Sequence, residues 1–322
     1  MKKALITGGA GYIGHHLQKE LKKNGYYVIV MDIKNPTELL SQKYCDRYIQ
    51  ADITSYGDMR ERIDIDDMFV DEDLSFDIVF HLAGLIEVAE SEKEPLRYYE
   101  HNVIGTFNIL KLMKSYSCDK IVFSSSAGVY NEYGEIDPQS VYGKTKLMSE
   151  EIIRSSLKEG VKSVSLRYFN VAGADLDGEF GENHENESHL IPNILKNNRF
   201  TVFGTDYATP DGTCVRDYIH VSDLAAAHIK AAEWLDHNEY SEFFDIGSGI
   251  GYSIRDVIST IESVTGEKID TTYGDRRSGD PARLFCETES AKTILGFKPI
   301  YGLKDIIQTA YNWEVIQRRK PL

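Results

Sequence analysis

Thr7-Gly8-Gly9-Ala10-Gly11-Tyr12-Ile13-Gly14 follows the apolar run Lys3-Ala4-Leu5-Ile6 and opens a stretch with helical periodicity. Gly9, Gly11 and Gly14 match G-x-G-x-x-G, and Gly8, Gly11 and Gly14 match the wider G-x-x-G-x-x-G. Glycine at such positions lets the backbone turn tightly and approach a pyrophosphate at a helix N-terminus. The context is strand, glycine turn, helix. The next apolar run ends in Met31-Asp32, near the ~20-residue offset of an acid that takes the ribose hydroxyls of a dinucleotide. An acid at Asp32 repels a 2′-phosphate, so NAD is expected rather than NADP. Asp52-Ile53, after the third run, is placed to hold the adenine, although an acid at a strand end serves equally as a helix cap.

Outward from this motif the first half alternates apolar runs with longer amphipathic stretches: KALITG, YYVIVMD, RYIQAD, FDIVFHLA, KIVFSSS and VKSVSLRYF. That alternation predicts an α/β fold, a Rossmann-like doubly wound parallel sheet with a smaller C-terminal substrate-binding domain. Helices are expected after Gly11, around Pro95 to Ser115 and from about Ser140 to Lys158, with Glu150, Glu151 and Arg154 facing solvent. Beyond Asn170 the stretch GADLDGEFGENHENESH has no periodicity and reads as a loop or crossover. A helix at Val221 to Leu235 and a strand at FFDIGS follow. The expected division is a dinucleotide-binding domain over 1–170, to which about 213–247 returns, and a substrate domain over 171–322, with a cleft between them.

The chain has 322 residues, with 36 basic and 51 acidic side chains and a net charge of −15. A general nucleic-acid or anionic-membrane surface is excluded on that charge, and an anionic substrate requires locally gathered arginines. No apolar run is long enough to span a bilayer, and a cytoplasmic protein is expected. The four cysteines, Cys45, Cys118, Cys214 and Cys286, are scattered and expected as reduced thiols. The nine histidines include no H-E-x-x-H, and no metal is expected.

The catalytic signal is Tyr142 and Lys146 in SVYGKTK, downstream of Ser124-Ser125-Ser126. With 20 tyrosines, roughly one Y-x-x-x-K arises by accident. Tyr116 and Lys120 are such an accident, because they straddle a helix end and a strand start. Tyr142 and Lys146 share a helix face, where the ammonium can stabilise a phenolate and lower a pKa of ~10. The serines, at the C-terminal end of a strand where open α/β sheets place ligands, can hydrogen-bond the same substrate hydroxyl or merely cap turns.

Together with FHLAGL, SSSAGVY, LRYFNVAGA, DGTCVRDYIHVSDLA and GDRRSGDPA, these blocks make the chain resemble the extended short-chain dehydrogenases, and within them the UDP-galactose (UDP-glucose) 4-epimerases, over nearly its whole length. The resemblance implies a catalytic set of Ser126, Tyr142 and Lys146. It implies tightly held NAD against Gly8, Gly11, Tyr12, Ile13, Gly14, Asp32, Asp52, Ile53, Leu82, Ala83, Gly84, Asn102, Tyr142, Lys146 and Tyr168. It implies a UDP-sugar against Ser126, Tyr142, Asn170, His189, Leu190, Thr201, Phe203, Arg216, Arg277, Asp280 and Leu284. Arg216 and Arg277 would grip the diphosphate, Asp280 the uridine ribose, and Phe203 would lie near the uracil. C4 epimerisation through a 4-keto sugar follows, as does a homodimer formed by the helices around 95–115 and 140–158, with Val103, Phe107, Leu110 and Leu147 equally available to it and to the protein's own sheet.

Three features depart from the family pattern: Ile86 where some relatives have Lys, a shorter segment between Tyr130 and Tyr142, and Leu284 at a gate position. Leu is intermediate between the bulky residue associated with exclusion of N-acetyl sugars and the small one associated with acceptance. Sugar-nucleotide 4,6-dehydratases carry an Asp-Glu pair where this chain reads Ser126-Ala127-Gly128, so elimination is disfavoured, as is decarboxylation. A UDP-pentose 4-epimerase and a non-catalytic dinucleotide-sensing protein are the alternatives.

Overall fold

The computed structural model describes residues 1–38, 42–67, 74–183, 187, 189–276 and 281–319. By packing, the chain divides into two units, one of Met1–Tyr130, Ile136–Arg167 and Ala225–Phe244, the other of Asn131–Glu135, Tyr168–Leu224 and Asp245–Leu322.

The first unit is built on β1 (Lys3–Thr7), β2 (Tyr27–Asp32), β3 (Arg47–Gln50), β4 (Ile78–His81), β5 (Lys120–Ser126), β6 (Lys162–Tyr168) and β10 (Glu242–Ile246). They form one sheet in the order β10-β6-β5-β4-β1-β2-β3. The β1–β2, β1–β4, β2–β3 and β4–β5 pairs are parallel, with Leu5 opposite both Ile29 and Val79. Leu5, Ile6, Val28, Val30, Val79 and Phe80 are buried on successive positions, the unbroken apolar pattern of strands covered on both faces. The chain order reverses at β1, which has β2 on one side and β4 on the other, and ligands of such sheets bind outside the strand ends at that reversal. Each expected strand of the first half is present.

The covering helices are α1 (Tyr12–Lys23), α2 (Tyr56–Asp67), α3 (Val88–Ser91), α4 (Pro95–Tyr98), α5 (Gly105–Ser115), α6 (Val141–Ser155) and α8 (Val221–Leu235). The helix expected over Pro95 to Ser115 is interrupted by a π-helical stretch, Tyr99–Ile104. One exposure expectation is wrong. Glu150 does not face solvent but is buried in α6, held by Ser125 and Arg167. Periodicity hid this because the carboxylate sits on the sheet-facing stripe, where a buried ion pair replaces an apolar contact. Glu151 and Arg154 do face outward and pair with each other at 2.8 Å.

The second unit carries β7 (Asn170–Ala172), α7 (Leu190–Asn197), β8 (Arg199–Phe203), β9 (Val215–His220), β11 (Gly251–Ser253), α9 (Ile254–Thr265), β12 (Asp270–Gly274), β13 (Arg283–Leu284), α10 (Glu289–Thr293) and α11 (Leu303–Arg319). Its core joins Ile191, Ile194, Val202, Tyr218, Val257, Ile261, Ile306 and Ile307. In the aperiodic stretch after Asn170, Ala174 and Gly181 form an isolated antiparallel bridge, while residues 184–186 and 188 lie outside the described residues. No helix among the described residues is long and apolar enough to cross a membrane.

Candidate active site

The glycine loop after β1 divides by what each Cβ would meet. At Gly8, with φ +72°, a Cβ would fall 2.6 Å from the Ala83 backbone nitrogen, and at Gly14 it would fall 2.4 Å from the Gly9 carbonyl. These two are glycines because the loop packs against the segment after β4 and against itself. Gly11 is different: its backbone is extended, at φ −87° and ψ 176°, and its Cβ would meet only the Gly8 carbonyl, at 3.2 Å. It is the N-cap of α1, and no side chain caps that end. A helix start that no side chain caps, beside a glycine with room for a close ligand approach, fits a dinucleotide pyrophosphate.

Tyr12 and Ile13 are the first residues of α1 and are half-buried. Asp32 closes β2, where its carboxylate accepts the Ala10 N–H at 2.9 Å and the Lys34 N–H at 3.0 Å, tying the strand end to the glycine loop. Asp52 accepts the Thr54 N–H at 2.8 Å, a turn-capping contact, and Ile53 is buried against Gly105. Leu82 and Ala83 bond back to Thr7. A Cβ on Gly84 would stand 2.9 Å from the Asn102 amide oxygen and 3.6 Å from Lys146 Nζ. Asn102 holds this loop at Leu85, accepting its N–H at 2.8 Å and donating to its carbonyl at 3.1 Å. Ile86 is exposed.

Tyr142, Lys146 and Ser126 converge because α6 starts tightly against the turn after β5. Ser140 caps the helix by accepting the Gly143 N–H at 3.0 Å, and the Tyr142 N–H reaches Ser91 Oγ at 3.1 Å. A Cβ on Gly143 would sit 2.1 Å from the Gly128 carbonyl. Gly128 in turn lies where a Cβ would be 3.3 Å from Ser126 Oγ and 3.5 Å from the Tyr142 ring. The backbone contact requires glycine at Gly143, and a Cβ on Gly128 would press on the serine and the ring, so both glycines bear on how closely Tyr142 approaches Ser126, and motif reading passed over them.

The electrostatics correct one expectation. Burial pushes the Tyr142 hydroxyl above its ordinary value, and the hydrogen bond with Ser126 pulls it down less than burial raises it. Lys146 does not reverse this in the protein alone. Its Nζ donates to the Ser124 carbonyl at 2.8 Å and lies 5.9 Å from the Tyr142 ring centroid. Burial lowers the Lys146 pKa to about 8, against the opposing charge of Glu150.

In the second unit, strand pairing gathers three of the expected substrate residues. Leu284 on β13 is opposite Arg216 on β9, and Asn170 on β7 donates from its amide to the Asp217 carbonyl at 2.8 Å. Arg216 Nη1 donates to the Val215 and Pro281 carbonyls at 2.9 and 2.8 Å. Asp217, fully buried, accepts N–H groups of Ser248, Gly249 and Cys286, which anchors this sheet. Tyr168 ends β6 and is buried. Thr201 and Phe203 lie on β8, where Thr201 bonds Thr272 at 2.8 Å, and Leu190 opens α7. His189 caps α7 with its ring bonded to Glu182, and with Glu187 these donors lie within 4.8 Å of one another. Arg277 and Asp280 lie outside the described residues.

The family model described as "NAD dependent epimerase/dehydratase family" matches residues 4–247. A UDP-glucose 4-epimerase of Halalkalibacterium halodurans is 43% identical, over 96% of this chain and 94% of that protein. The structure of UDP-glucose-4-epimerase from Stenotrophomonas maltophila, with bound NAD and formylated UDP-arabinopyranose, superposes with a TM-score of 0.91 at 32% identity, covering 99% of each chain. The UDP-Glc/GlcNAc 4-epimerase of Campylobacter jejuni superposes with a TM-score of 0.80 at 32% identity, covering 98% of this chain and 100% of that one. With the match spanning most of the sequence, this chain belongs to the NAD-dependent epimerase/dehydratase family.

Proposed function

We propose that this protein interconverts UDP-galactose and UDP-glucose by NAD-dependent inversion at C4, through a 4-keto sugar. The observation that carries the reading is the packing of Tyr142 against Ser126 and Gly128, with Lys146 one helical turn on, in a chain related along its whole length to UDP-glucose 4-epimerases. NAD, when bound, supplies the acceptor and later the donor of the C4 hydride. The glycine loop and the start of α1 hold its pyrophosphate, Asp32 its ribose and Asn102 the loop beside it. Tyr142 takes the proton of the sugar O4 and later returns one, Ser126 shares that proton through their hydrogen bond, and Lys146 is the cation that favours the phenolate. Arg216 and Arg277 take the diphosphate, Asp280 the uridine ribose, with Asn170, His189, Leu190, Thr201, Phe203 and Leu284 completing the substrate set.

Leu284 neighbours Arg216 across two strands and is half-buried, neither the bulk that excludes an N-acetyl group nor the space that welcomes it. Both UDP-hexoses and UDP-N-acetylhexosamines are therefore substrates in this reading, within galactose metabolism in the cytoplasm. The protein is a homodimer, for which the exposed Ile104, Phe107 and Met148 provide an apolar surface, whereas Val103 is buried and Leu110 packs against the protein's own core.

Purified protein, with no added NAD, is incubated separately with UDP-galactose and UDP-N-acetylgalactosamine, and the C4 epimers are followed by proton NMR. Conversion of both is expected. Conversion of the first alone makes Leu284 an excluding gate, and conversion of neither sinks the hexose reading.

A further inference from the structure

The buried ion pair beneath α6 has no place in the proton handling described above. Glu150 lies on the same helical stripe as Tyr142 and Lys146, at successive steps of four residues. Its Oε1 accepts Arg167 Nε at 2.9 Å and the Ser125 hydroxyl, and its Oε2 accepts Arg167 Nη2 at 2.6 Å. Arg167 is further fixed by donating to the Tyr130 hydroxyl at 2.7 Å and by stacking 3.8 Å from the Phe243 ring centroid. Ser125 stands between Ser124, whose carbonyl receives Lys146, and Ser126, which bonds Tyr142. One carboxylate therefore grips the middle serine of the strand end whose two neighbours touch the catalytic pair.

Stability alone does not account for the pair, because buried ion pairs are often replaceable by apolar residues of like volume at no loss. Its charge, however, has a neighbour. The titratable groups facing Lys146 are Tyr142 on its own helix and His81 on β4. Burial and the Lys146 charge hold that histidine neutral, with a pKa of about 3. Beyond them lie Arg167 on β6 and Tyr130 after β5, and among the described residues the sides facing α5 offer the uncharged Asn102, Thr145, Thr106 and Ser149. Glu150 is the carboxylate acting on Lys146, and it stands between Lys146 and a second cation, Arg167.

We propose that Glu150 is a positioning residue for the epimerase reaction: gripped by Arg167 and Ser125, it holds the end of β5 in register with α6 and serves as the counter-charge of Lys146. The inference rests on the reading of Tyr142 and Lys146 as the catalytic pair.

The test compares pH profiles of kcat in the NAD-containing enzyme for the wild type, Glu150→Gln and Glu150→Asp, with Tyr142→Phe beside them. Loss of the negative charge leaves two buried cations, so the alkaline limb of Glu150→Gln moves about one unit lower. Its kcat falls ~10-fold while KM stays within about twofold. Glu150→Asp keeps the charge and returns the limb to its wild-type position. A merely structural carboxylate would lower the melting temperature and leave the limb of the folded fraction in place, and that result overturns the proposal. If Glu150→Gln does not fold, Ser125→Ala decides, since it leaves the ion pair intact: a kcat loss of about threefold or more supports the proposal and wild-type kcat overturns it. Near-normal turnover of Tyr142→Phe would instead overturn the catalytic reading itself.

Discussion

The two units place the residues proposed for chemistry and for substrate binding on different kinds of backbone. In the first, Ser126, Tyr142 and Lys146 stand on a strand of seven residues and a helix of fifteen, with Gly143 packed directly on the Gly128 carbonyl. In the second, Asn170, Arg216 and Leu284 lie on strands of three, six and two residues. On the proposed roles, chemistry that must hold a proton path to a fraction of an ångström is built on long, buried elements. Binding of a flexible, charged ligand is spread over short ones, which tolerate change in shape and specificity.

The sharpest way to break this comparison is kinetic. Tyr142→Phe removes the proposed proton acceptor and keeps the ring, so kcat is expected to fall on the order of 10³-fold with UDP-sugar binding retained. Arg216→Met removes a charge from the proposed diphosphate contacts, and KM is expected to rise about 10- to 100-fold with kcat changed far less. Steady-state kinetics on both variants checks the split. A collapse of kcat in Arg216→Met at unchanged KM would erase the distinction between the units.

A smaller effect is expected from acid. His81 in the first unit and His220 in the second are buried and kept neutral, with pKa values lowered to about 3 and about 4 from 6.5. Below 6.5 the unfolded chain binds protons that the folded histidines refuse, so stability is lost as pH falls from 6.5 through those values. In the second unit Asp217 and Asp223 have raised pKa values from burial and take up protons more readily when folded, which offsets part of the loss. Hydrogen exchange between pH 7 and 4 should show the first unit losing protection ahead of the second. Lys146 acts at the other end, since its depressed value makes stability rise with pH between about 8 and 10.5. A melting temperature flat from pH 7 to 4 would count against the histidine assignment.

How far the sequence foretold these units follows the same division. The strands of the first unit were readable because burial on both faces leaves uninterrupted apolar runs, and the glycine loop because backbone contact forbids a Cβ. Glu150 was misread because a buried charge looks like a solvent-facing one until its partner is known, and Arg167 lies 17 residues away on another strand. Gly143 is passed over because its reason is the Gly128 carbonyl across a turn, and Gly128 because its neighbours are the Ser126 and Tyr142 side chains. In the second unit, α7 and β7 fall in or beside an aperiodic stretch, and two- and three-residue strands such as β13 and β7 are too short to show any period. Their pairing with β9 is set by tertiary contact, which sequence pattern does not carry.

The smallest expected effect tests whether the second unit owes its order to local signals at all. Ser253 caps α9 by accepting the Asp256 N–H at 3.0 Å, while the Asp256 carboxylate accepts the Ser253 N–H at 2.9 Å. This reciprocal pair satisfies two helix-end groups, and Ser253→Ala should cost about 1 kcal/mol. Denaturant unfolding measures it against the wild type. A loss of that size says that α9 is anchored at its own N-terminus before it packs Val257 and Ile261 into the core it shares with α11. No measurable loss would mean that packing alone holds the helix, and the contrast between the units would then reach down to their local signals.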